Sequence, residues 1–236
     1  MTAPPTVSPG LGRDTAGWPR TEKEALAVQD ALRPSLIGGP GPDRPTTLAG
    51  LDVAYEEDGE RLAAAIVVLD AADHSVRDSA VVTGRAAFPY VPGLFAFREI
   101  PALLEALDKL TVRPDVLICD GHGLAHPRRF GLACHLGVLT GLASFGVGKT
   151  PLVGAWEPPG ERRGECSDLV DDGETVGAVL RTRDGVKPVF VSVGHRMDLA
   201  TACDLTLGLT PRFRLPETTR AADRACRDGL LALSGL

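Results

Sequence analysis

The sequence predicts an α/β fold, one mixed sheet flanked by helices in a single domain, and three observations carry that prediction. Three strand-like runs follow one another early in the chain, joined by short polar turns. From Gly93 onward the apolar period changes, and helix-like and strand-like segments alternate. The chain has 236 residues, 44% of them hydrophobic, which suffices for one sizeable core rather than several.

Taken in order, residues 1–20 are rich in Pro, Thr and Gly and read as a flexible N-terminal extension. The folded part is expected over residues 21–236. Thr21 followed by Glu24 forms a capping box, and the helical pattern that it starts runs to Leu32 before Pro34 ends it. Gly38 to Pro45 is a loop. Thr47 to Tyr55, Arg61 to Asp70 and Ser75 to Arg85 are the three successive strands, an antiparallel meander. After Gly93, Phe97, Ile100, Leu103, Leu104, Leu107 and Leu110 recur at helical spacing until Arg113-Pro114. Asp115 to Asp120 is a buried strand, Arg128 to Gly141 a helix, Ala143 to Gly148 and Val189 to Val193 strands, and Asp198 to Leu207 a helix. Glu157 to Gly173 is polar and bears Gly and Pro, so it reads as a surface excursion.

Composition excludes several classes. A formal net charge of −6 and a pI near 5.4 argue against a protein that coats nucleic acid through summed phosphate neutralisation, so any such contact must be local. No apolar run reaches the length of a membrane span, and no charged segment precedes an apolar leader. The five cysteines, at 119, 134, 166, 203 and 226, form no C-x-x-C pair and sit mostly in apolar segments, which fits reduced thiols in the cytoplasm.

The chemistry concentrates behind the apolar run Val116 to Cys119, where Asp120-Gly-His-Gly-Leu-Ala-His126-Pro-Arg128-Arg129 gathers a carboxylate, two imidazoles and two guanidiniums. Asp52 interrupts an otherwise apolar strand, a costly placement for an ionised carboxylate unless a cation or several donors compensate it. Two carboxylates on separate strands can meet at one sheet edge and hold a Mg²⁺ that keeps some of its waters. Glu99, within Phe95-Ala-Phe-Arg-Glu-Ile-Pro101, joins them if it projects inward; alone it would read as a solvated helix residue. His122 and His126 are separated by four positions, but Gly121, Gly123 and Pro127 speak against one helix presenting both, so zinc is disfavoured. Beside a phosphate, His126 can orient a water, protonate a leaving oxygen or bind the phosphate. His122 is either a support for the site or structural, and His135 is expected to be a satisfied core residue.

Lys149 ends a strand, where a cation meets phosphate or developing charge. Gly146-Val-Gly-Lys-Thr150 is not a nucleotide-binding P-loop, since Ala143 stands where that motif needs glycine. Gly194-His195-Arg196 ends a further strand and is expected near the same edge. Pro89-Tyr90-Val91-Pro92-Gly93 is stiff by construction and holds Tyr90 in a protruding loop, suited to wedging between bases.

Together Leu48 to Val53, Pro89 to Gly93, Phe97 to Pro101, Asp120 to Arg129, Gly146 to Lys149 and Gly194 to Arg196 resemble endonuclease V, over roughly residues 20 to 225. The resemblance implies an RNase H-like fold and a single nick at the second phosphodiester 3′ to inosine, leaving 3′-hydroxyl and 5′-phosphate ends. It implies that Asp52, Glu99 and Asp120 bind the metal, Mg²⁺ with Mn²⁺ as a substitute, that His126 assists the attacking water and that Lys149 stabilises the phosphate. Tyr90 would be the wedge, with Pro89 and Pro92 beside it. The backbone at Gly93 and Gly121 would leave room for hypoxanthine, with Phe95 and Leu152 lining the pocket. Arg128, Arg129, Lys149 and Arg196 would grip the strand, and His195 matches a family position of less settled role. The expected partner is inosine-containing DNA, in DNA repair, with inosine-RNA left open, no membrane, and a monomeric enzyme. The rivals are another RNase H-like nuclease, which has no need of a wedge, a silent lesion-binding module, which has no need of three carboxylates, and a metal-dependent small-molecule hydrolase.

Overall fold

The computed structural model describes residues 17–57 and 59–233. Residues 1–16 of the expected extension lie outside the described residues. Its end does not behave as an extension, because Trp18 is buried. The reason lies in helix α2 (Ala96–Lys109), which carries Pro101 in its interior. Proline has no N–H to give the carbonyl four residues back. The Trp18 indole N–H fills that gap, donating to the Phe97 carbonyl at 2.8 Å.

Helix α1 (Glu22–Leu32) starts with the expected reciprocal cap: the Thr21 hydroxyl accepts from the Glu24 amide and the Glu24 carboxylate accepts from the Thr21 amide. A 3₁₀ turn over Arg33–Ser35 follows at Pro34. Eight strands then form one mixed sheet: β1 (Thr47–Tyr55), β2 (Arg61–Asp70), β3 (Val76–Arg85), β4 (Val116–Cys119), β5 (Ala143–Gly148), β6 (Cys166–Asp171), β7 (Glu174–Leu180) and β8 (Val189–Val193). Their order across the sheet is β3-β2-β1-β4-β5-β8-β7-β6. The first three strands are the antiparallel meander, β1, β4 and β5 run parallel, and β8 returns antiparallel to β5.

Apolar residues from both faces of the sheet are covered. Phe97, Ile100 and Leu103 of α2 and Leu136 of α3 (Leu132–Thr140) pack with Leu51, Ile66 and Leu117. On the other face Val116, Ile118 and Val191 meet α4 (Leu199–Gly208), while Val67 and Leu69 meet α5 (Glu217–Leu233). No helix among the described residues is long and apolar enough to cross a membrane.

The structure corrects three sequence expectations. The helix expected from Arg128 starts only at Leu132, because Arg129 is left-handed (φ 54°) and Gly131 is an extended N-cap. The excursion over 157–173 ends in an edge strand, β6, which turns into β7 through Asp172 and Gly173 at φ 51° and 79°, the two positive φ values of a type I′ hairpin turn. Helix α5 has no counterpart among the elements expected from the sequence. Its buried face consists of Thr218, Thr219, Ala222 and Cys226, and it lies so close to β1 that a Cβ on Gly50 would come within 2.1 Å of the Thr218 backbone.

Candidate active site

Sheet register explains why the first two carboxylates meet. Leu51 of β1 is level with Cys119 of β4, and the Asp120 amide donates to the Leu51 carbonyl at 3.2 Å. The next residue of each strand, Asp52 and Asp120, therefore arrives at the same edge. Glu99 comes from the first turn of α2 and is only 6% exposed. Burial, then Asp52 and Asp120, push its pKa well above the usual carboxylate range against the pull of Arg98. Burial, then Asp120, likewise push Asp52 up to about 7.

A fourth carboxylate, Asp223 of α5, adds to the negative field on Asp52. Nothing in its sequence surroundings, Arg220-Ala-Ala-Asp-Arg-Ala-Cys226, marks it, since the helix that delivers it has no large apolar face. The Lys149 ammonium rests on the Asp120 carboxylate. Burial works against its charge, but Asp120, Asp52 and Asp223 together raise its pKa.

Among the described residues no three His, Cys, Asp or Glu side chains are yet drawn into a ready cation cage. The donor chemistry fits a hard divalent ion all the same. The set is all oxygen and anionic, its members repel one another, and Glu99 is buried.

Beside this edge lies a cavity of about 320 Å³ bounded by Tyr90, Gly93, Phe95, Gly121, His126 and Leu152, and it reaches Glu99 and Asp120. Phe95 and Leu152 line it. Pro92 lines it too, whereas Pro89 is exposed and does not. Tyr90 is 70% exposed and meets Phe95 edge-on at 5.9 Å. Pro92 and Gly93 occupy the two central positions of a tight turn closed by the Leu94 amide donating to the Val91 carbonyl at 3.0 Å. The φ of 79° at Gly93 is the type II value that favours glycine there.

His126 lies at the cavity wall but is not free. Its Nδ1 accepts from the Arg128 amide at 3.1 Å, so Nε2 carries the proton and donates to the Gly93 carbonyl at 2.9 Å. Burial, reinforced by His122 and the two arginines, lowers its pKa to about 4 although the Gly93 bond opposes this. The expected assistance to an attacking water has no free ring nitrogen here. His122 donates Nε2–H to the Thr150 carbonyl at 3.0 Å, tying the 120s loop to the residue after Lys149, and its buried Nδ1 has no partner among the described residues. His135 is buried but not satisfied: neither ring nitrogen has a hydrogen-bond partner, and the ring packs among Trp18, Phe97 and Phe130.

Two cations expected on the phosphate have structural work instead. Arg128 pairs with Asp30 of α1. Arg129 donates to the Asp171 and Glu174 carboxylates and to the Asp171 and His126 carbonyls, pinning the β6–β7 hairpin. His195 and Arg196 are not brought to the site. Because β8 is antiparallel to β5, with Val193 opposite Phe145 and Phe190 opposite Gly148, the end of β8 lies at the far edge from Lys149. There the buried His195 ring accepts the Ile37 amide on Nδ1 at 3.2 Å. A larger cleft of about 630 Å³ sits at that far edge beside Arg113, Asp115 and Arg196, but its one carboxylate is already satisfied by Thr46 and Thr47.

Comparison with known proteins follows the same lines as the geometry. A family model described as endonuclease V matches residues 35–224. An endonuclease V of Nocardia farcinica is 57% identical over 218 residues, covering 92% of this chain and 96% of that relative. The crystal structure of an endonuclease V from Streptomyces avermitilis superposes with a TM-score of 0.90 at 55% identity, covering 93% of this chain and 97% of the other. The Ciona intestinalis endonuclease V, solved in complex with a 24mer DNA containing an inosine followed by a ribo-adenosine, has a TM-score of 0.78 at 26% identity, covering 89% and 98%. The RNase H-like fold class expected from the sequence is the one these structures share.

Proposed function

The chain belongs to the endonuclease V family, and from that premise we propose that it nicks inosine-containing strands at the second phosphodiester 3′ to the inosine, leaving 3′-hydroxyl and 5′-phosphate ends. The observation that carries this reading is the adjacency of mutually repelling carboxylates, one of them buried, to a cavity that opens beside an exposed tyrosine. Carboxylates in that state call for a cation, and the small cavity suits one extruded heterocycle.

Asp52, Glu99 and Asp120, with Asp223 behind them, would hold Mg²⁺, or Mn²⁺ in its place. Such an ion lowers the pKa of water and neutralises charge growing on the phosphate. Lys149, whose ammonium rests on Asp120, would stabilise the scissile phosphate. Tyr90 fills the gap left in the base stack, with Pro89 and Pro92 stiffening its loop, and the backbones of Gly93 and Gly121 border the extruded base. The grip on the strand is modest, because Arg128 and Arg129 are held in ion pairs, and its salt dependence is correspondingly shallow. The enzyme acts as a monomer in cytoplasmic DNA repair; the 2′-hydroxyl alone separates this substrate from inosine-RNA.

The test is Mg²⁺-dependent cleavage of end-labelled single strands bearing one inosine, as DNA and as RNA, beside unmodified strands and Asp52→Ala. A nick at the second bond 3′ to the inosine, lost in Asp52→Ala, is expected. No cut, or equal cutting of unmodified strands, overturns the reading.

A further inference from the structure

The loop that carries Tyr90 is exposed at its tip, yet both of its ends are tied by polar side chains, one end by the half-buried Arg98 and the other by the buried Gln29 and His126. At the first end the Arg98 guanidinium donates to the Phe88 carbonyl at 2.7 Å and to the Gly59 carbonyl at 2.6 Å, while lying 5.1 Å above the Tyr55 ring. One planar fork thus joins the loop to the β1–β2 turn and to α2. At the other end the Gly93 carbonyl accepts two hydrogen bonds, from His126 Nε2 at 2.9 Å and from Gln29 Nε2 of α1 at 3.2 Å. Gln29 is 1% exposed, and the same nitrogen reaches the Phe130 carbonyl at 3.3 Å. The Gly93–Leu94 peptide is therefore bonded on both sides, its amide to Val91 and its carbonyl to α1 and the 120s loop.

Gln29 is an odd residue for a purely structural place. Its Oε1 is buried with no hydrogen-bond partner among the described residues, which is unfavourable, and an apolar side chain of similar length would avoid the penalty. What the amide supplies that an apolar chain cannot is a donor to the loop.

We propose that Gln29, His126 and Arg98 form a two-ended polar clamp that presets the Tyr90 loop for inosine, Gln29 and His126 at Gly93 and Arg98 at Phe88. They are positioning residues: none needs to touch the reacting phosphate. This rests on the reading of Tyr90 as the wedge and extends it to the residues that aim it. A wedge that must order itself on binding loses affinity to that ordering, whereas a preset one does not. His126, with both ring nitrogens on backbone groups, is a strut of this clamp.

Gln29→Met tests it in the full chain, because it keeps length and removes the donor. With Mg²⁺ and single strands with and without inosine, the preference for inosine should fall roughly five- to tenfold, the loss of about one hydrogen bond to a fixed carbonyl. The fall should come through KM with kcat retained, and the melting temperature should not drop. The Leu94 amide should exchange its hydrogen faster, reporting the loosened turn without any substrate. In the Tyr90→Ala background Gln29→Met should cost nothing further, since the clamp acts through that ring. Unchanged Leu94 exchange, a fall in kcat at constant KM, or losses that simply add in the double variant would each overturn the clamp. Failure of the wild-type chain to prefer inosine would overturn the functional reading instead, while the exchange measurement would still decide whether Gln29 holds the turn.

Discussion

Strand β4 has a carboxylate at each end, and the two are treated in opposite ways. Asp115, just before it, accepts hydrogen bonds from the Thr46 amide at 2.7 Å, the Thr46 hydroxyl at 3.0 Å and the Thr47 amide at 3.1 Å. Burial raises its pKa, but those donors outweigh burial and hold it below the usual carboxylate value. Asp120, just after the strand, receives a lysine ammonium and faces Asp52 and Glu99, which burial and mutual repulsion have pushed upward. A carboxylate that is given donors fastens the fold. Carboxylates that have fewer donors and are crowded together store unfavourable charge that a cation or protons relieve, which is the condition of a working site.

The largest effect should come from breaking the crowded end. Asp52→Ala is expected to lower Mg²⁺-dependent cleavage by about 10³-fold or more, since several kcal/mol of transition-state charge stabilisation depend on the ion. The same variant should not unfold the protein, because relieving repulsion at this edge offsets the lost packing. Calorimetry beside the cleavage assay separates the two, and a variant that cuts normally would remove Asp52 from the site.

Protons sharpen the contrast next. In the unfolded chain Asp52 titrates near its ordinary 3.8, in the folded chain near 7, so between those values the folded state binds the extra proton. Stability from this group is fully present below about pH 4 and is lost as pH rises through about 7. Asp115 has the opposite sign: its contribution is present above the ordinary carboxylate value and is lost on acidification. The metal-free protein should therefore melt lower at about pH 8 than at about pH 5.5, and saturating Mg²⁺ at about 100 times its Kd should restore roughly 2.7 kcal/mol at the higher pH only. A melting temperature independent of Mg²⁺ at high pH would contradict the crowding argument.

Tyr90→Ala comes third. Removing the ring should cost roughly tenfold in the preference for inosine over unmodified strands, in the range of one base-stacking contact, with Mg²⁺ stabilisation of the fold unchanged. Equal loss on every substrate would show that the ring serves the fold and not recognition.

How much of this was legible beforehand follows from physics. Asp52 and the Asp120 segment stood out because charge at the end of, or inside, an apolar strand is expensive and local in sequence. The meander and the change of apolar period were legible for the same reason. Three features were not. Helix α5 hides because its buried face is Thr, Ala and Cys, so Asp223 gave no signal until the helix was seen against Gly50. Strand β6 has only Leu169 buried, which made it look like a loop, although Asp172-Gly173 was the turn signal available. The ion pairs of Arg128 and Arg129 join residues 98, 42 and 45 positions apart, a distance at which sequence pattern carries no information. Strand direction is equally silent: whether His195 meets Lys149 depends on β8 running against β5, which the hairpin between them decides.

The donor-satisfied end should respond through stability alone. Asp115→Asn loses a charge that three donors share, and about 1.5–3 kcal/mol of folding stability should go with it at neutral pH, less in acid, with cleavage per folded molecule unchanged. The smallest effect is expected at His195, on the same far edge. Its Nδ1 accepts the Ile37 amide, its amide accepts nothing but donates to the Ser144 hydroxyl at 2.9 Å, and its carbonyl accepts the Ser144 amide. Only the first of these involves the imidazole. His195→Ala should therefore cost about 1 kcal/mol for one orphaned amide, and leave kcat and KM on inosine strands within about twofold, a change of under half a kcal/mol. A fall in affinity for the strand with the melting temperature retained would mean that bound nucleic acid reaches round to the far edge of the sheet, and that the two ends of β4 are less separate than their chemistry makes them.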